Sequence, residues 1–428
     1  MKDKETISRI LAEGCRLLVG VVFVFSGFVK AVDPMGFEIK IGEYLAVWGM
    51  GDFRSLALVA AFALIAAEFT LGVCLLLGVY RRYTTLLTLA LMLFMTPLTL
   101  YLALFNPVTD CGCFGDALII TNWETFFKNV VLLAAIIFVY VRHRELLSCY
   151  TARVGWFVPL FAYACCLYFA YWNYNHLPAI DFRPYKEGVN IPEQMSIPEG
   201  APEDEYRYSF VYEKDGRKKE FSLDDYPAED SAWTFVESQM ELVRKGYTPP
   251  IPAFIVFDRE GNQAAERILE QPGDLLLLIA ARLEDAHLHR LNEISNLYDY
   301  AQENEWPFYC LTGSSDEAID AWTERTGAEY PFLEADEALL KTIIRSNPGL
   351  VWMRSGTILR KWHYNDLPGE EEISQLRTTA YRDGTTASGK GMGWIYVGVF
   401  TFTLPLLLVW VCDFICFRPK KERKGTTI

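Results

Sequence analysis

Six apolar stretches constrain the fold of this chain more than any other feature. They lie at 17–32, 56–79, 84–104, 126–141, 154–170 and 394–417. Each approaches the length of about 20 residues that an α-helix needs to cross a bilayer. The first and fourth are short, so we expect them to belong to longer helices whose ends protrude. The stretches predict a polytopic α-helical membrane protein with about six transmembrane helices.

Basic residues predict the orientation of these helices. Lysine and arginine cluster in four segments, and with six spans all four lie on one side of the membrane: the N-terminus, 80–83, 142–153 and 418–428. Cytoplasmic segments are rich in these residues. We therefore expect a multi-pass protein of the bacterial inner membrane with both termini in the cytoplasm. The charged N-terminal segment shows no cleavable signal pattern, and we expect the first helix to act as a signal anchor.

Charge and hydrophobicity occupy different parts of the chain. Its 428 residues carry a net charge of −14, yet 51% of them are hydrophobic. Most acidic residues lie in 176–392, which we expect to form a soluble region on the outer, periplasmic side of the membrane. An acidic surface argues against nucleic-acid binding. The partners that this arrangement suggests are the lipid bilayer and an extracytoplasmic client protein, and the oligomeric state stays open.

The soluble region has the pattern of an α/β domain with mixed strands. A proline-rich linker at 178–202 precedes a hairpin that turns at Asp215-Gly216, and AFIVFDREGNQ (253–263) predicts a second hairpin. Strands and helices then alternate. We expect a strand at 275–281, a helix at 284–303, a strand at 307–311, a helix at 315–327 and a hairpin at 350–362.

The strongest chemical signal is a pair of cysteines, Cys111 and Cys113, in the loop between the third and fourth helices. Disulfides form outside the cytoplasm, and the intervening glycine allows a tight turn. A disulfide between them would be strained and easily reduced, which suits thiol exchange. The alternatives are a structural loop with idle thiols, or a metal site. Zinc usually takes four ligands, and only Asp110, Asp116 and His176 are at hand to complete such a site.

A carboxylate lies in the middle of the second helix. Glu68 at that depth costs roughly 2.5 kcal/mol or more unless it is neutralised or paired, so we expect it to face the interior of the helix bundle. Lys30 on the first helix is the candidate partner. The functional interpretation is a proton or quinone site. The alternative is a protonated glutamate that joins two helices by a hydrogen bond.

The other cysteines and histidines carry weaker signals. Cysteines within apolar helices are usually packing residues, and the single thiol of the soluble region cannot form a disulfide within that region. Cys412 and Cys416, at the end of the last helix, are either packing residues or acylation sites. Histidines two residues apart do not share one helix face, so we interpret them as surface residues. These residues are Cys74, Cys165, Cys166, Cys310, Cys412, Cys416, His287 and His289.

Four pieces of the membrane region resemble the DoxX and MauE families of four-helix membrane proteins. They are FSGFVKAVDP (25–34), EYLAVWG (43–49), Glu68 with the following LGVCLLLGVYRRY, and DCGCFGD (110–116), which looks particularly like MauE. The resemblance covers roughly residues 10–145. It implies quinone-linked thiol redox chemistry, or maturation of a disulfide-rich enzyme subunit. Carried over by position, the implied site residues are Cys111 and Cys113 for catalysis, and Lys30 and Glu68 for cofactor binding, with a quinone as the candidate cofactor.

The soluble region resembles the TlpA and peroxiredoxin branch of the thioredoxin fold. PPIPAFIVFDREGN (249–262) is similar to the opening hairpin of that branch, and NPGLVWMRSGTILRKW (347–362) to its closing segment, with Pro348 at the cis-proline position. The departure is the absence of Cys-x-x-Cys, because IAARLEDAHLHRL (279–291) stands where that motif should begin a helix. Thioredoxins act through a thiolate at that helix N-terminus, so this domain should not exchange dithiols itself.

Together these patterns predict seven segments. They are a four-helix membrane domain (1–150), a fifth helix (151–175), a linker with a β-hairpin (176–248), a thioredoxin-like domain (249–368), a tether (369–392), a sixth helix (393–417) and a basic tail (418–428).

Two functions are compatible with this plan. The first is a membrane thiol–disulfide oxidoreductase or redox-maturation factor that acts through Cys111 and Cys113. The alternative is a non-catalytic scaffold whose thioredoxin-like domain binds a client.

Overall fold

The structure is a computed structural model that describes most of the chain. The described residues are 2–108, 110–203, 205–214, 217–222, 233–244, 246–383 and 391–416. The turn predicted at Asp215-Gly216 and the basic tail at 418–428 lie outside them. The first part of the chain is helical, with α1 (Lys2–Val32), α2 (Pro34–Val47), α3 (Arg54–Leu77), α4 (Arg81–Phe105), α5 (Asn122–Val141) and α6 (Phe157–Asn175).

The soluble region follows, and one long helix returns to the membrane. The elements of the soluble region are, in chain order, α7 (Ile191–Met195), β1 (Glu205–Lys214), β2 (Arg217–Ser222), β3 (Thr234–Arg244), β4 (Val256–Phe257), α8 (Ala265–Leu269), β5 (Asp274–Ala280), α9 (Leu291–Glu303), β6 (Phe308–Thr312), α10 (Asp316–Thr326), β7 (Phe332–Ala335), α11 (Glu337–Ile343), β8 (Gly349–Arg354), β9 (Thr357–His363) and α12 (Glu370–Asp383). The long helix is α13 (Gly391–Cys416).

Five helices in the described part of the chain are long and apolar enough to cross a membrane, so this is a multi-pass membrane protein. They are α1, α3, α4, α5 and α13. The helix predicted at 154–170 forms as α6 and is not among the five, but it runs beside α3 along its whole length. Val158 packs in one cluster with Cys74 of α3 at one end, and the rings of Tyr174 and Phe62 lie 5.8 Å apart at the other. A count of six spans stays a prediction.

Two features of the membrane region differ from the sequence-based expectation. The first helix begins at Lys2 rather than at residue 17, because a polar N-terminal extension continues the apolar stretch, as its short length suggested. The segment between the first two apolar stretches, 33–55, contains the unpredicted helix α2. Asp33 caps this helix by accepting a hydrogen bond from Gly36 N, and a proline occupies its first turn. At 14 residues, α2 is too short to cross a bilayer.

Glycines bring α1 and α3 into close contact. A Cβ atom added to Gly27 would lie 2.7 Å from the backbone nitrogen of Phe69, and one added to Gly72 would lie 2.6 Å from that of Val24. Small residues at such points let membrane helices approach closely. The two helices are therefore held with little space between their backbones over several turns.

The last helix, α13, packs against α6 and the loop before it. The rings of Phe161 and Phe402 stack at 5.6 Å, and Tyr150 donates a hydrogen bond to the carbonyl of Leu406. Asp413 accepts hydrogen bonds from the backbone and the hydroxyl of Thr151. Hence the helices on either side of the soluble region are held next to each other.

The described part of the soluble region contains two sheets. The smaller one is antiparallel with strand order β2-β1-β3, which confirms the pairing of the first predicted hairpin and adds the unpredicted β3. The larger one has the order β4-β7-β6-β5-β8-β9. Within it, β5, β6 and β7 are parallel, whereas β4, β8 and β9 pair in antiparallel fashion.

The larger sheet has the topology of a thioredoxin-like fold. The parallel β5–α9–β6 unit is followed by the antiparallel β8–β9 hairpin, and the Asn347-Pro348 peptide bond just before β8 is cis, as the resemblance implied. Both faces of the sheet are covered, because Leu275 and Leu277 pack into one buried cluster while Leu276 packs into another. Continuous burial of β5 matches its uninterrupted run of apolar residues.

Two predictions for the soluble region are wrong. The helix expected at 284–303 begins only at Leu291, because the preceding segment is tied to the cis-proline loop by a hydrogen bond from His287 N to Asn347 O. The stretch at 369–392, interpreted as a tether, contains α12, whose Ile373 is buried in the core beside α9. An acidic first turn favours this helix, since it complements the helix dipole.

The close approach of α1 and α3 makes a prediction about stability. Gly27→Ala should lower the free energy of unfolding by about 1–3 kcal/mol, because the new methyl group meets the backbone of Phe69. Gly14→Ala, on the same helix, is the matched control: nothing lies within 4 Å of its Cβ position, so it should gain up to about 1 kcal/mol in helix propensity. Unfolding in detergent micelles measures both, and equal effects would contradict the described packing.

Candidate functional site

The cysteine loop, residues 107–121 between α4 and α5, is held in a fixed conformation by its own polar groups. The carboxylate of Asp110 accepts a hydrogen bond from Gly112 N at 2.9 Å. The side-chain amide of Asn122 donates to the carbonyl of Val108 and to the side chain of Asn106. Gly112 has φ +66°, a left-handed conformation that suits glycine, so the chain reverses between the two cysteines.

Cys111 and Cys113 are brought together by this turn. Their Sγ atoms lie 2.9 Å apart as two free thiols, and the residues are only 5% and 7% exposed. A disulfide has an S–S length of about 2.05 Å, so the sulfurs would have to approach by about 1 Å to form one. The pair is therefore poised for oxidation but is covered from the solvent.

The buried carboxylate has the partner that the sequence suggested. Lys30 Nζ lies 2.6 Å from Glu68 Oε2, and both side chains are mostly buried. The hydroxyl of Ser26 lies 3.0 Å from Glu68 Oε1 and 2.7 Å from the carbonyl oxygen of Cys113. The ion pair between α1 and α3 is thus connected to the cysteine loop through one serine, a residue that the sequence analysis did not single out.

The two thiols differ in acidity. The hydrogen bond from Cys111 lowers the pKa of Cys113 to about 6, and the charges of Lys128 and Lys30 act in the same direction against the effect of burial. The same hydrogen bond raises the pKa of Cys111, because a thiol that donates to a thiolate holds its proton. The lower pKa favours Cys113 over Cys111 as the thiolate of the reduced pair.

Helix α2 covers one side of the pair. The hydroxyl of Tyr44 donates a hydrogen bond of 2.7 Å to the carbonyl of Cys111. The ammonium group of Lys40 lies 3.2 Å from Asp110, and its aliphatic chain rests against Gly112. Tyr44 and Ser26 stand within the quoted motifs EYLAVWG and FSGFVKAVDP, which was the available signal for both residues.

A narrow cavity of about 30 Å³ adjoins the pair, lined by Ser26, Glu68, Cys113, Lys128 and Asn129 among others. A space of this size holds one or two water molecules. Its lining of carboxylate, hydroxyl and ammonium groups suits the transfer of a proton. A quinone ring does not fit it in this conformation.

In the described residues, the metal site considered as an alternative at Cys111 and Cys113 lacks a set of ligands. His176 pairs with Asp366 at 2.8 Å, and Asp116 pairs with Arg345, so neither side chain turns towards the cysteines. Within the described residues, no group of three or more His, Cys, Asp or Glu side chains is arranged to hold a metal ion.

The thioredoxin-like domain has no thiol where the fold would place a redox pair. Residues 281–290 precede α9, and the domain's Cys310 is fully buried in β6, where burial raises its pKa. His287 and His289 are not on a helix. Both are exposed, as the surface interpretation predicted, and their rings lie 5.3 Å apart and pack on Tyr364.

The remaining cysteines of the helices fill packing positions where they are buried. Cys74 lies in the cluster between α3 and α6, and Cys166 packs beside Ala31 with its sulfur 3.9 Å from the carbonyl of Ile65. Cys412 and Cys416 are exposed on α13. None of these thiols is placed next to the Cys111–Cys113 pair.

The fold and the site define a multi-pass membrane protein with a buried cysteine pair and a thioredoxin-like domain. The family profile of methylamine utilisation protein MauE matches residues 8–142, about a third of the chain, so this region is a MauE-like membrane domain. A domain of unknown function, DUF8463, matches residues 206–245. The MauE resemblance is thereby confirmed, and the DoxX resemblance stays a prediction.

Among solved structures, the chain is similar to a secreted Mycobacterium tuberculosis disulfide oxidoreductase homologous to E. coli DsbE. The identity is 15%, the TM-score is 0.23, and the match covers 29% of this chain and 95% of that chain. No curated protein matches this chain.

The hydrogen bond between the thiols makes a prediction about pH dependence. Alkylation of Cys113 by iodoacetamide should rise with pH around a midpoint near 6, because only the thiolate reacts. In Cys111→Ala the midpoint should move upwards, since the hydrogen bond that most favours the thiolate is lost. Peptide mapping by mass spectrometry measures the rate at each pH. Cys74→Ala is the control and should leave the midpoint in place; an unchanged midpoint in Cys111→Ala would refute the assignment.

Proposed function

We propose that this chain is a membrane thiol–disulfide oxidoreductase, or redox-maturation factor, that exchanges disulfides with an extracytoplasmic protein client through Cys111 and Cys113. The observation that carries the proposal is the arrangement of the pair. Two thiols lie 2.9 Å apart, next to the Lys30–Glu68 ion pair and within a MauE-like domain.

The exchange begins with the oxidised pair. A client thiolate attacks Cys111 Sγ, a bond to the client forms, and the Cys111–Cys113 bond breaks. Cys113 is the better leaving group because its pKa is the lower of the two. A second client thiolate then attacks the client sulfur of the mixed disulfide and releases Cys111. The client gains a disulfide and the pair is reduced by two electrons.

Turnover requires the pair to return two electrons to an acceptor. We propose a lipid-soluble quinone, which takes two electrons and two protons to become a quinol. Because the cavity beside the pair is too small for the ring, the quinone would have to approach from the bilayer or after the loop has moved. The carboxylate of Glu68, joined to the loop through Ser26, is the group placed to pass protons between the cavity and the thiols.

The cations around Cys113 are placed to stabilise a thiolate at this residue. Lys128 Nζ lies 4.2 Å from the centre of the Phe114 ring, next to Cys113, and Lys30 is nearby on α1. Positive charge stabilises the released thiolate, which lowers the barrier for breaking the disulfide. This is the role that we propose for Lys30 beyond its pairing with Glu68.

The second candidate is a scaffold that binds a client without redox turnover. Two observations favour it: both cysteines are buried, and the thioredoxin-like domain lacks cysteine before α9. In this alternative the cysteine loop would be a structural knot, and the client would bind the soluble region alone.

Trapping of a mixed disulfide separates the two candidates. In Cys113→Ala the Cys111 thiolate can still run the exchange in reverse: it attacks the disulfide of an oxidised client and releases one client thiolate. The mixed disulfide should accumulate, since Cys113, which would attack Cys111 Sγ and expel the client, is missing. Cells are acid-quenched, alkylated and analysed on non-reducing gels, with the double variant Cys111→Ala/Cys113→Ala as the control. A complex trapped only in Cys111→Ala would instead mean that Cys113 is the thiol that bonds to the client. No complex in either single variant would favour the scaffold.

The proposed orientation places the pair and the soluble region in the oxidising compartment, in the bacterial inner membrane with cytoplasmic termini. Alkaline phosphatase fused after residue 300 should therefore be active, because it folds only with its disulfides outside the cytoplasm. The same reporter fused after residue 150, on the proposed cytoplasmic side, is the control and should be inactive. An inactive reporter at 300 beside an active one at 150 would reverse the orientation and remove the basis for thiol exchange.

A further inference from the structure

We propose that Arg345 of the thioredoxin-like domain is a positioning residue for the cysteine pair: it holds the cysteine loop and α2 together over Cys111 and Cys113. This inference deepens the proposed function, because it names how the soluble domain controls access to the same site. Its test measures thiol accessibility, which does not depend on a client or on turnover.

The contacts of Arg345 reach from the soluble domain into the membrane domain. Its Nε lies 2.9 Å from Asp33, and its Nη2 lies 3.3 Å from Asp116. Its Nη1 donates to the carbonyl of Lys341 within its own domain. The side chain is only 10% exposed. One guanidinium thus joins three parts of the chain in a largely buried position.

The two carboxylates belong to the two elements that enclose the cysteines. Asp33 caps α2, the helix that places Tyr44 on the carbonyl of Cys111. Asp116 lies on the cysteine loop, three residues after Cys113. If Arg345 withdrew, the two carboxylates would be left without the charge between them, and α2 and the loop would separate more easily.

The contact is built for arginine. A planar guanidinium can hold two carboxylates at once, whereas a lysine ammonium is a single point charge. Gly36 leaves the necessary space, since a Cβ atom there would lie 2.9 Å from Arg345 Nη2. Such a Cβ atom would also lie 2.5 Å from Asp33 Oδ2, so the capping carboxylate and the arginine together leave no room for a side chain at this position of α2.

The segment that carries Arg345 is itself fixed within the soluble domain. It lies between α11 and the cis peptide bond at Pro348. Two buried cations fix the end of α11, directly before Arg345. Arg183 donates to the carbonyl of Lys341, and Lys361 donates to that of Ile343. A movement of the domain therefore moves Arg345 with it, and the cysteine loop loses or regains its partner.

The test compares two contacts between the same domains. Arg345→Met removes the contact with the cysteine loop. Asp366→Asn removes the His176–Asp366 pair, which also joins the soluble domain to the membrane region but does not touch the loop. The full chain is labelled in membrane vesicles with a membrane-impermeant maleimide, and peptide mapping gives the labelling rate of Cys111 and Cys113.

Arg345→Met should raise the labelling rate about tenfold or more, because the covered state of the loop loses its partner. Asp366→Asn should leave the rate within about twofold of the parent chain. Arg345→Lys should give an intermediate rate, since it keeps the charge and reaches one carboxylate. A rise with Arg345→Met that Asp366→Asn reproduces would mean a general domain anchor and would overturn the proposal, as would no rise at all.

A second variant guards against misfolding of Arg345→Met. Asp116→Asn keeps the Arg345–Asp33 pair and should still raise the labelling rate, while Asp116→Asn combined with Arg345→Met should add less than the two changes do separately. Strict additivity would show that the two residues act independently and would overturn the proposal. If the labelling rates change as expected but no mixed disulfide is trapped, the proposed function is refuted and the role of Arg345 still holds.

Discussion

The ion pair between Lys30 and Glu68 is the interaction on which the rest of the membrane domain depends. Removing one partner of a buried pair typically costs about 3–5 kcal/mol, because the other charge is left in an apolar environment. The pair is possible only because Gly27 and Gly72 let α1 and α3 lie close together. Through Ser26 the same pair is tied to the cysteine loop. Helix packing, charge burial and the position of the thiols are therefore one connected arrangement.

The site draws on four helices and the cysteine loop, and this explains its electrostatics. Helices α1 and α5 contribute cations, α3 contributes the carboxylate, and α2 closes one side. A thiolate in such a place is stabilised by charges that no single motif contains. Because both cysteines are buried, the proposed exchange would require a movement that exposes them.

Much of this architecture could be predicted from the sequence, because its signals are local. Apolar stretches indicated the long helices, and the run at 275–281 indicated the central strand of the soluble domain. The pairing of Lys30 with Glu68 followed from the cost of burying a lone charge. The helix α2 was missed because its 14 residues show no membrane-spanning length, and α9 was drawn too long because a hydrogen bond to the cis-proline loop overrides helix propensity. The role of Arg345 could not be predicted from the sequence, since only the fold brings it next to Asp33 and Asp116, which are more than 200 positions away in the chain.

The contact between α6 and α13 has a consequence for the thermodynamics of the soluble domain. The soluble domain is tethered at both ends, because α6 leads into it, α13 follows it, and these two helices lie side by side. The domain therefore loses little translational freedom when it binds at the membrane surface. Its effective concentration at that surface is correspondingly high, so weak individual contacts suffice to keep it seated. A client that reached the cysteine pair, as proposed, would have to displace this domain, which the two helices keep at the membrane surface.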